Sequence, residues 1–415
     1  MEVKLAIDGG PPLRTKPFPT HMNASGRDFG KEEKELLAQV IDSGCLNRFG
    51  GNMVLRFESE FAALHGMKHG IAVTSGTAAL HVAVGGLDLD PGDEVITSTV
   101  TDPGSVIAIL LCNAVPIFAD SDPMTSNLLP EFVEARISER TKAIMPVHMS
   151  GRPAQMDGIM AIARRHNLRV IEDCAQAHLA EYKGKLVGSM GDMGAFSFQQ
   201  SKHLTTGDGG IVLTNDDKLA ARMRLFADKG WPRDEWPRDH LFLAPNYRMT
   251  DLQGAVGVAQ AKKLPGLVAK RRASAAQLVQ ALEDVPGIIQ ATHPEDERSA
   301  WWKFPIWIDH SVLDVAPVRF QEALEAEGIL CQVGFMVRSM LDYTFMKERR
   351  TFGRSQWPWS SPSTRPGIEY REEDFPGARA SVAEPILIEW NDGIGPDDID
   401  DIVEAVGKLC TAFSR

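Results

Sequence analysis

Apolar residues recur along this chain in two alternating rhythms. Leu36, Leu37, Val40 and Ile41 have helical spacing, as do Val54, Phe57, Phe61 and Leu64. An apolar run at 71–73 predicts a short buried strand, which passes through Thr74-Ser75-Gly76-Thr77 into a helical stretch at 78–84. Further strand-like runs stand at 94–97, 115–119, 143–147 and 169–171, and helical patterns such as Met156, Ile159, Met160 and Ala163 lie between them. Strands separated by helices predict an α/β class: a mostly parallel sheet covered by helices on both faces.

The pattern shifts after about residue 194. Two strand-like runs, 195–198 and 210–214, flank a polar loop, and a helix is predicted over 252–263. From 265 the chain reads as a charged helix, a strand at 301–308 and a closing amphipathic helix on Ile399, Ile402, Val403, Val406, Leu409, Cys410 and Phe413. Asp397 and Asp398 stand in that last helix's first turn, where its dipole favours acids. The expected organisation is an arm at 1–30 rich in Gly and Pro, a large α/β domain at 31–264, and a smaller C-terminal α+β domain at 265–415. Two stretches fit no period: 349–374, rich in Trp, Pro, Ser and Arg, and the tandem Trp231-Pro232-Arg233-Asp234 and Trp236-Pro237-Arg238-Asp239. Both are expected to be loops, the first a long and functional one.

Composition narrows the function. A chain of 415 residues with 43% hydrophobic and 24% charged residues is an ordinary globular protein. Its net charge of -12 disfavours nucleic acid as a partner. The longest apolar run, 106–112, is far short of the roughly 20 residues of a membrane span. The opening residues lack a basic segment followed by an apolar one, so no signal peptide is expected. Five scattered cysteines without a Cys-x-x-Cys fit neither a disulfide framework nor a zinc ribbon; the expected compartment is the reducing cytoplasm, and no metal is expected.

Three segments could carry chemistry. Ser75, Gly76 and Thr77 follow a strand and open a helix, where free N–H groups and the helix dipole can hold a phosphate. A plain turn with a Ser or Thr cap would read the same way. Glu172 and Asp173 end a strand at the edge where open α/β sheets place ligands, although either could simply start a helix. Lys202 lies in a Ser/Thr/Gly-rich loop between two strands and could serve as a covalent amine or stand as a solvated loop lysine. Together, phosphate cradle, strand-end acid and loop lysine are what a pyridoxal-phosphate site requires.

At these residues the chain resembles the sugar- and cyclitol-aminotransferase family of the DegT type, fold-type I pyridoxal-phosphate enzymes. Four of the family's motifs stand in order: Ser-Gly-Thr-x-Ala-Leu at 75–80, Glu-Asp-x-Ala-Gln-x-His at 172–178, Ser-Phe-x-x-x-Lys-x-x-Thr-x-Gly-(Glu/Asp)-Gly-Gly at 197–210, and Asn-Tyr-Arg-Met-Thr-(Asp/Glu)-Leu-Gln at 246–253. The resemblance implies Lys202 as the Schiff-base lysine and proton carrier, and Asp173 as the partner of the pyridine nitrogen. It implies Gln176 near the cofactor's phenolic oxygen or ring face, and Gly76, Thr77 and Ser197 around its phosphate. Asn246 would reach that phosphate from the neighbouring subunit of a homodimer with shared active sites. The implied reaction moves an amino group from glutamine or glutamate to a keto-cyclitol or keto-sugar, with pyridoxamine phosphate formed during turnover. Aminosugar or antibiotic biosynthesis is the expected setting.

The sequence departs from the family in three places. Asp102 stands where an aromatic residue usually stacks on the cofactor ring, so it is expected to face the acceptor or to cap the following helix. Leu179 replaces a common Gly, and Cys174 a common Ala. Trp231 and His240, in the loop before Asn246, are candidate acceptor contacts. The rival readings are weaker. Sugar dehydration in this family replaces the lysine by His, a non-catalytic binding protein would be expected to lose Lys202 or Asp173, and a nicotinamide dehydrogenase needs a Gly-x-Gly-x-x-Gly that no predicted strand here precedes.

Overall fold

A computed structural model describes residues 4–335 and 338–415. The expected arm's first three residues lie outside the described residues. After α1 (Lys31–Ser43) and α2 (Met53–Leu64), strands and helices alternate: β1 (His69–Val73), α3 (Gly76–Gly86), β2 (Glu94–Ser98), α4 (Pro103–Leu111), β3 (Val115–Ala119), α5 (Pro130–Glu134), β4 (Thr141–Met145), α6 (Met156–His166) and β5 (Arg169–Asp173). The small strands β6 (Glu181–Tyr182) and β7 (Lys185–Leu186) precede β8 (Met193–Ser197), β9 (Gly210–Thr214), α7 (Asp217–Phe226) and α8 (Asp251–Leu282).

Seven of these strands form one sheet in the order β1-β9-β8-β5-β4-β2-β3. Every pairing from β8 to β3 is parallel, while β9 runs antiparallel to both β8 and β1. The chain is therefore the mostly parallel α/β architecture that the pattern predicts. Strands β2, β3, β8 and β9 are buried at every position, as a sheet covered on both faces requires. Alternation along β9 shows the two faces: Val212 packs with Val82 and Met193, and Ile211 and Leu213 pack with Phe57, Phe61 and Phe196. One consequence positions the site. The carboxyl ends of β1, β2, β4, β5 and β8 and the start of β9 all meet at one sheet edge.

Helix α8 corrects the expectation of two helices meeting at 265. It is a single helix of 32 residues with Pro265 inside it. Proline forfeits the bond its N–H would give to the Ala261 carbonyl. Burial at both ends holds the helix through that gap, since Leu264 and Val268 join the core under β9 while Ala275, Leu278 and Leu282 join the core of a second sheet.

The remaining elements are β10 (Ile288–Ile289), β11 (Glu297–Arg298), β12 (Lys303–Ile308), α9 (Pro317–Ala326), β13 (Cys331–Val333), α10 (Thr344–Lys347), α11 (Pro376–Ala383), β14 (Ile386–Glu389) and α12 (Pro396–Ala412). The second sheet has the order β10-β12-β14-β13 with antiparallel pairings, and β11 joins β6 and β7. Residues of the arm lie across this region. Arg14 pairs with Asp398 and Asp401 at 2.8 and 2.6 Å, and Glu327 accepts the N–H groups of Ala6 and Leu13.

The Trp-rich stretch 349–374 is mostly loop, as expected. It covers β3, the sheet's edge strand: Trp357 Nε1 donates to Asn113, Trp359 Nε1 to the Tyr370 hydroxyl, and that hydroxyl to the Pro116 carbonyl at 2.6 Å. An uncovered edge would present unpaired backbone groups to other chains. Among the described residues no helix is long and apolar enough to cross a membrane.

Candidate active site

A cavity of about 370 Å³ opens at the sheet edge where those strand ends meet. Its first wall is the β1–α3 junction. Ser75 is extended at the N-cap, and its Oγ accepts from the Ala78 N–H at 3.0 Å. The N–H groups of Gly76 and Thr77 lie in the same first turn, which leaves them without a helical acceptor. Gly76 is required by space: a Cβ there would lie 2.6 Å from the Cβ of Ser197 at the end of β8. Gly76, Thr77 and Ser197 thus stand together on one wall of the cavity, at the N-terminal end of α3.

Asp173 closes the floor. It ends β5, only 3% exposed, with Oδ2 accepting from Ser105 Oγ at 2.7 Å and Oδ1 from the Ala175 N–H at 3.1 Å. Burial raises its pKa, while those two bonds and nearby Lys202 pull the other way. Its neighbour Glu172 points elsewhere, as alternation along a strand demands. Glu172 accepts from the N–H groups of Gly188, Met190 and Gly191 and stands 3.1 Å from His148 Nε2. His148 Nδ1 accepts the Ala154 N–H, so the proton sits on Nε2. Glu172 is therefore a brace for the 188–191 turn.

Lys202 and Gln176 complete the set. Lys202 Nζ lies 3.9 Å above the centre of the Trp302 ring. Burial pushes its pKa down to about 8, with the Asp102 and Asp173 carboxylates acting upward and Lys303 downward. The Gln176 side-chain oxygen accepts from the Ser150 N–H at 2.8 Å, so its amide N–H groups are what it can offer to the cavity it lines. Behind the lysine, His178 and His203 are fully buried and kept neutral by that burial.

Asp102 also lines the cavity. It is the N-cap of α4, its Oδ1 accepting from the Gly104 N–H at 2.8 Å with Pro103 at the first helical position. The capping expectation is thus met, and the side chain remains exposed at the cavity mouth. Leu179, at the family's glycine position, has φ of 57°, a left-handed conformation that costs a non-glycine residue roughly 1–2 kcal/mol. Its side chain, 8% exposed, packs in the core that holds Phe61 and Phe196, which offsets that cost. Cys174 is buried against Gly188, and burial drives its thiol pKa far up, so it is inert.

Three of the expected residues do not reach this cavity. Asn246 and His240 are exposed on the surface, and half-buried Trp231 is stacked by Arg233 and Arg238 at 3.9 and 3.8 Å. Conversely, Trp302, Phe335 and Ser105 line the cavity without having been singled out. Trp302 lies 100 positions from the lysine, and only the rare Trp301-Trp302 pair could have drawn attention to it.

Comparison with known proteins places this geometry. The family model for the DegT/DnrJ/EryC1/StrS aminotransferase family matches residues 27–407. The chain is similar to the spore coat polysaccharide biosynthesis protein SpsC of Bacillus subtilis, 35% identical over 92% of this chain and 95% of that one. It is also similar to a putative L-glutamine:3-amino-2,3-dideoxy-scyllo-inosose aminotransferase of Streptoalloteichus tenebrarius, 33% identical over 99% and 98% of the two chains. Among solved structures, the aminotransferase from Psychrobacter cryohalolentis superposes with a TM-score of 0.81 at 31% identity, covering 94% of this chain and 98% of the other.

Proposed function

The chain belongs to the DegT/DnrJ/EryC1/StrS aminotransferase family, and from that premise we propose that it moves the amino group of glutamine or glutamate onto a keto-cyclitol or keto-sugar. It is a pyridoxal-phosphate-dependent aminotransferase of fold type I. The single observation that carries the substrate reading is the likeness along 99% of the chain to a protein named for glutamine and an amino-cyclitol ketone. Aminosugar or secondary-metabolite biosynthesis is the setting this supports.

The residues present fit the cofactor. A buried acid whose short contacts, among the described residues, are neutral donors suits a protonated pyridine nitrogen, so Asp173 would hold the ring. The close approach of Gly76 to Ser197 beside the free end of α3 suits a phosphate. Lys202 would bind covalently through Nζ. Bound pyridoxal phosphate supplies an electron sink and the carbon that carries nitrogen from donor to acceptor.

The chain's own residues then handle protons. With a pKa of about 8, roughly a tenth of Lys202 would be free amine at pH 7, against well under a hundredth for an exposed lysine. Nζ in that form takes the proton from the donor's α-carbon and delivers it again, a positioned transfer typically worth ~100 to 10,000-fold. Asp173 would hold the protonated ring nitrogen, a cation that would favour its carboxylate against the burial that raises its pKa. Asp102, at the mouth, orients the acceptor through a hydroxyl or an amine.

Asn246, Trp231 and His240 belong, in this reading, to the partner's active site in a homodimer. The surface around them supports it: Leu243 is 98% exposed, and Phe49, which stacks under Arg233 and Arg248, is 50% exposed. Five free cysteines agree with a reducing, cytoplasmic setting.

The test is a spectral titration of the purified protein with glutamine and glutamate, then with a panel of keto-cyclitols and keto-sugars. The loss and return of the cofactor's absorbance with a matched pair is expected. Borohydride should fix the cofactor to the peptide holding Lys202, and label on another lysine would overturn that assignment.

A further inference from the structure

The lysine loop is held by its carbonyl groups. Three successive peptide carbonyls, those of Gln200, Ser201 and Lys202, each accept a side-chain donor from a distant part of the chain. Trp302 Nε1 donates to Ser201 at 2.8 Å. The guanidinium of Arg27 takes the other two, with Nη1 donating to the Lys202 carbonyl at 2.7 Å and Nη2 to the Gln200 carbonyl.

Arg27 is 9% exposed, and among the described residues no carboxylate lies within ion-pair distance of it. A buried cation without such a pair is costly, and here burial and Arg271 push the guanidinium pKa down to about 10 against the opposing pull of Asp392 and Glu389. A residue kept at that cost for two main-chain carbonyls must be worth more for what it fixes than for stability.

We propose that Arg27 is a positioning residue for Lys202: its planar fork locks the 200–201 and 202–203 peptides, on either side of the Ser201–Lys202 peptide, and so sets where Nζ can stand. This rests on the reading of Lys202 as the covalent lysine. The same arm carries the lock to the second sheet. Gln200 Nε2 donates to the His21 carbonyl at 2.8 Å, His21 Nδ1 stands 2.6 Å from Glu389 Oε1 on β14, and Asn391 Nδ2 donates to the Pro19 carbonyl at 2.8 Å. The lysine is thereby mounted on the arm as well as on the sheet edge that its own loop joins. A lysine at 27 could not replace the fork, because an ammonium is a point donor without two parallel N–H directions.

The test compares four full-length proteins: wild type, Arg27→Gln, Arg27→Lys and Arg14→Gln. Arg14 pins the same arm through Asp398 and Asp401 but does not touch the lysine loop, so it reports loss of the arm alone. Each protein, freed of cofactor, is acylated with trace acetic anhydride across pH, and the label on the Lys202 peptide is read by mass. Wild type should give an apparent pKa near 8, set by burial among Asp102, Asp173 and Lys303. In Arg27→Gln the loosened loop lets Nζ reach water, and the value should rise toward the ~10.4 of an exposed lysine. Turnover should fall by about 100-fold, the cost of misplacing a reacting group by about 1 Å, with the Michaelis constant for the donor little changed.

Arg27→Lys should shift part of the way, and carries the test if Arg27→Gln does not fold. Arg14→Gln should lower the melting temperature and leave the Lys202 profile in place. A wild-type profile in the Arg27 variants, or an equal shift in Arg14→Gln, would overturn the proposal. Borohydride label away from Lys202 would instead refute the covalent-lysine reading and leave the labelling comparison intact.

Discussion

The β1–α3 and β2–α4 junctions lie side by side at the cavity, close enough that a Cβ on Gly104 would stand 2.5 Å from Thr77 Oγ1. Both are strand, turn and helix, and both have a side-chain cap. Ser75 caps α3 with a neutral hydroxyl, and Asp102 caps α4 with a carboxylate. The difference decides what each helix end can bind. A hydroxyl satisfies one N–H and leaves the positive end of the dipole for an outside anion. A carboxylate neutralises that end itself, and Pro103 removes a further donor. Two similar local sequences thus make one helix end open to an anion and one anionic rim.

The largest effect should come from making the first junction like the second. Ser75→Asp keeps a good cap, so the melting temperature of the cofactor-free protein should barely move. Its charge would face a phosphate at close range, where a unit-charge pair is worth about 3 kcal/mol at an effective dielectric near 20. The dissociation constant for pyridoxal phosphate, read by spectral titration, should rise by about 100-fold or more. An unchanged constant would mean the phosphate sits elsewhere.

A middle-sized effect separates the two glycines. Gly76→Ala drives a Cβ to 2.6 Å from the Ser197 Cβ, which the strand backbone holds, so unfolding should show a loss of about 1–3 kcal/mol. Gly104→Ala meets the Thr77 hydroxyl, which can rotate away. Stability should then fall by less than about 1 kcal/mol, while cofactor affinity drops about tenfold as that hydroxyl leaves the cradle. Equal stability losses in both would show that Thr77 is as tightly held as Ser197.

These junctions were legible in the sequence because their bonds are local: each cap reaches two or three residues ahead. The alternation of strands and helices was legible for the same reason, as were Asp173 at a strand end and Lys202 between two strands. What escaped depends on distant packing. The Lys202 carbonyl meets Arg27 across 175 positions, and Ser201 meets Trp302 across 101, separations that no periodicity encodes. Helix α8 escaped for a related reason, since Pro265-Gly266 reads as a break and only burial on two cores keeps it whole. The Trp-rich stretch 349–374 has no period because it is shaped by the sheet edge it covers.

The smallest effect, and the most informative about the acceptor, concerns Asp102. Its two jobs can be separated by charge. Asp102→Asn retains the cap to the Gly104 N–H, so stability should stay within about 0.5 kcal/mol, whereas Asp102→Ala should cost about 1 kcal/mol. The carboxylate raises the pKa of Lys202, so removing its charge should move that value below about 8. The sign follows: more free amine at pH 7, and an acid limb of the donor half-reaction displaced to lower pH, with its plateau rate nearly unchanged. If the exposed oxygen also orients the acceptor, Asp102→Asn should raise the acceptor's Michaelis constant by about tenfold, the worth of one charge-assisted hydrogen bond. Stopped-flow rates for each half-reaction across pH measure both effects at once. A shift of the acid limb without any change toward the acceptor would leave Asp102 as a cap that tunes the lysine. The anionic rim would then serve proton transfer alone.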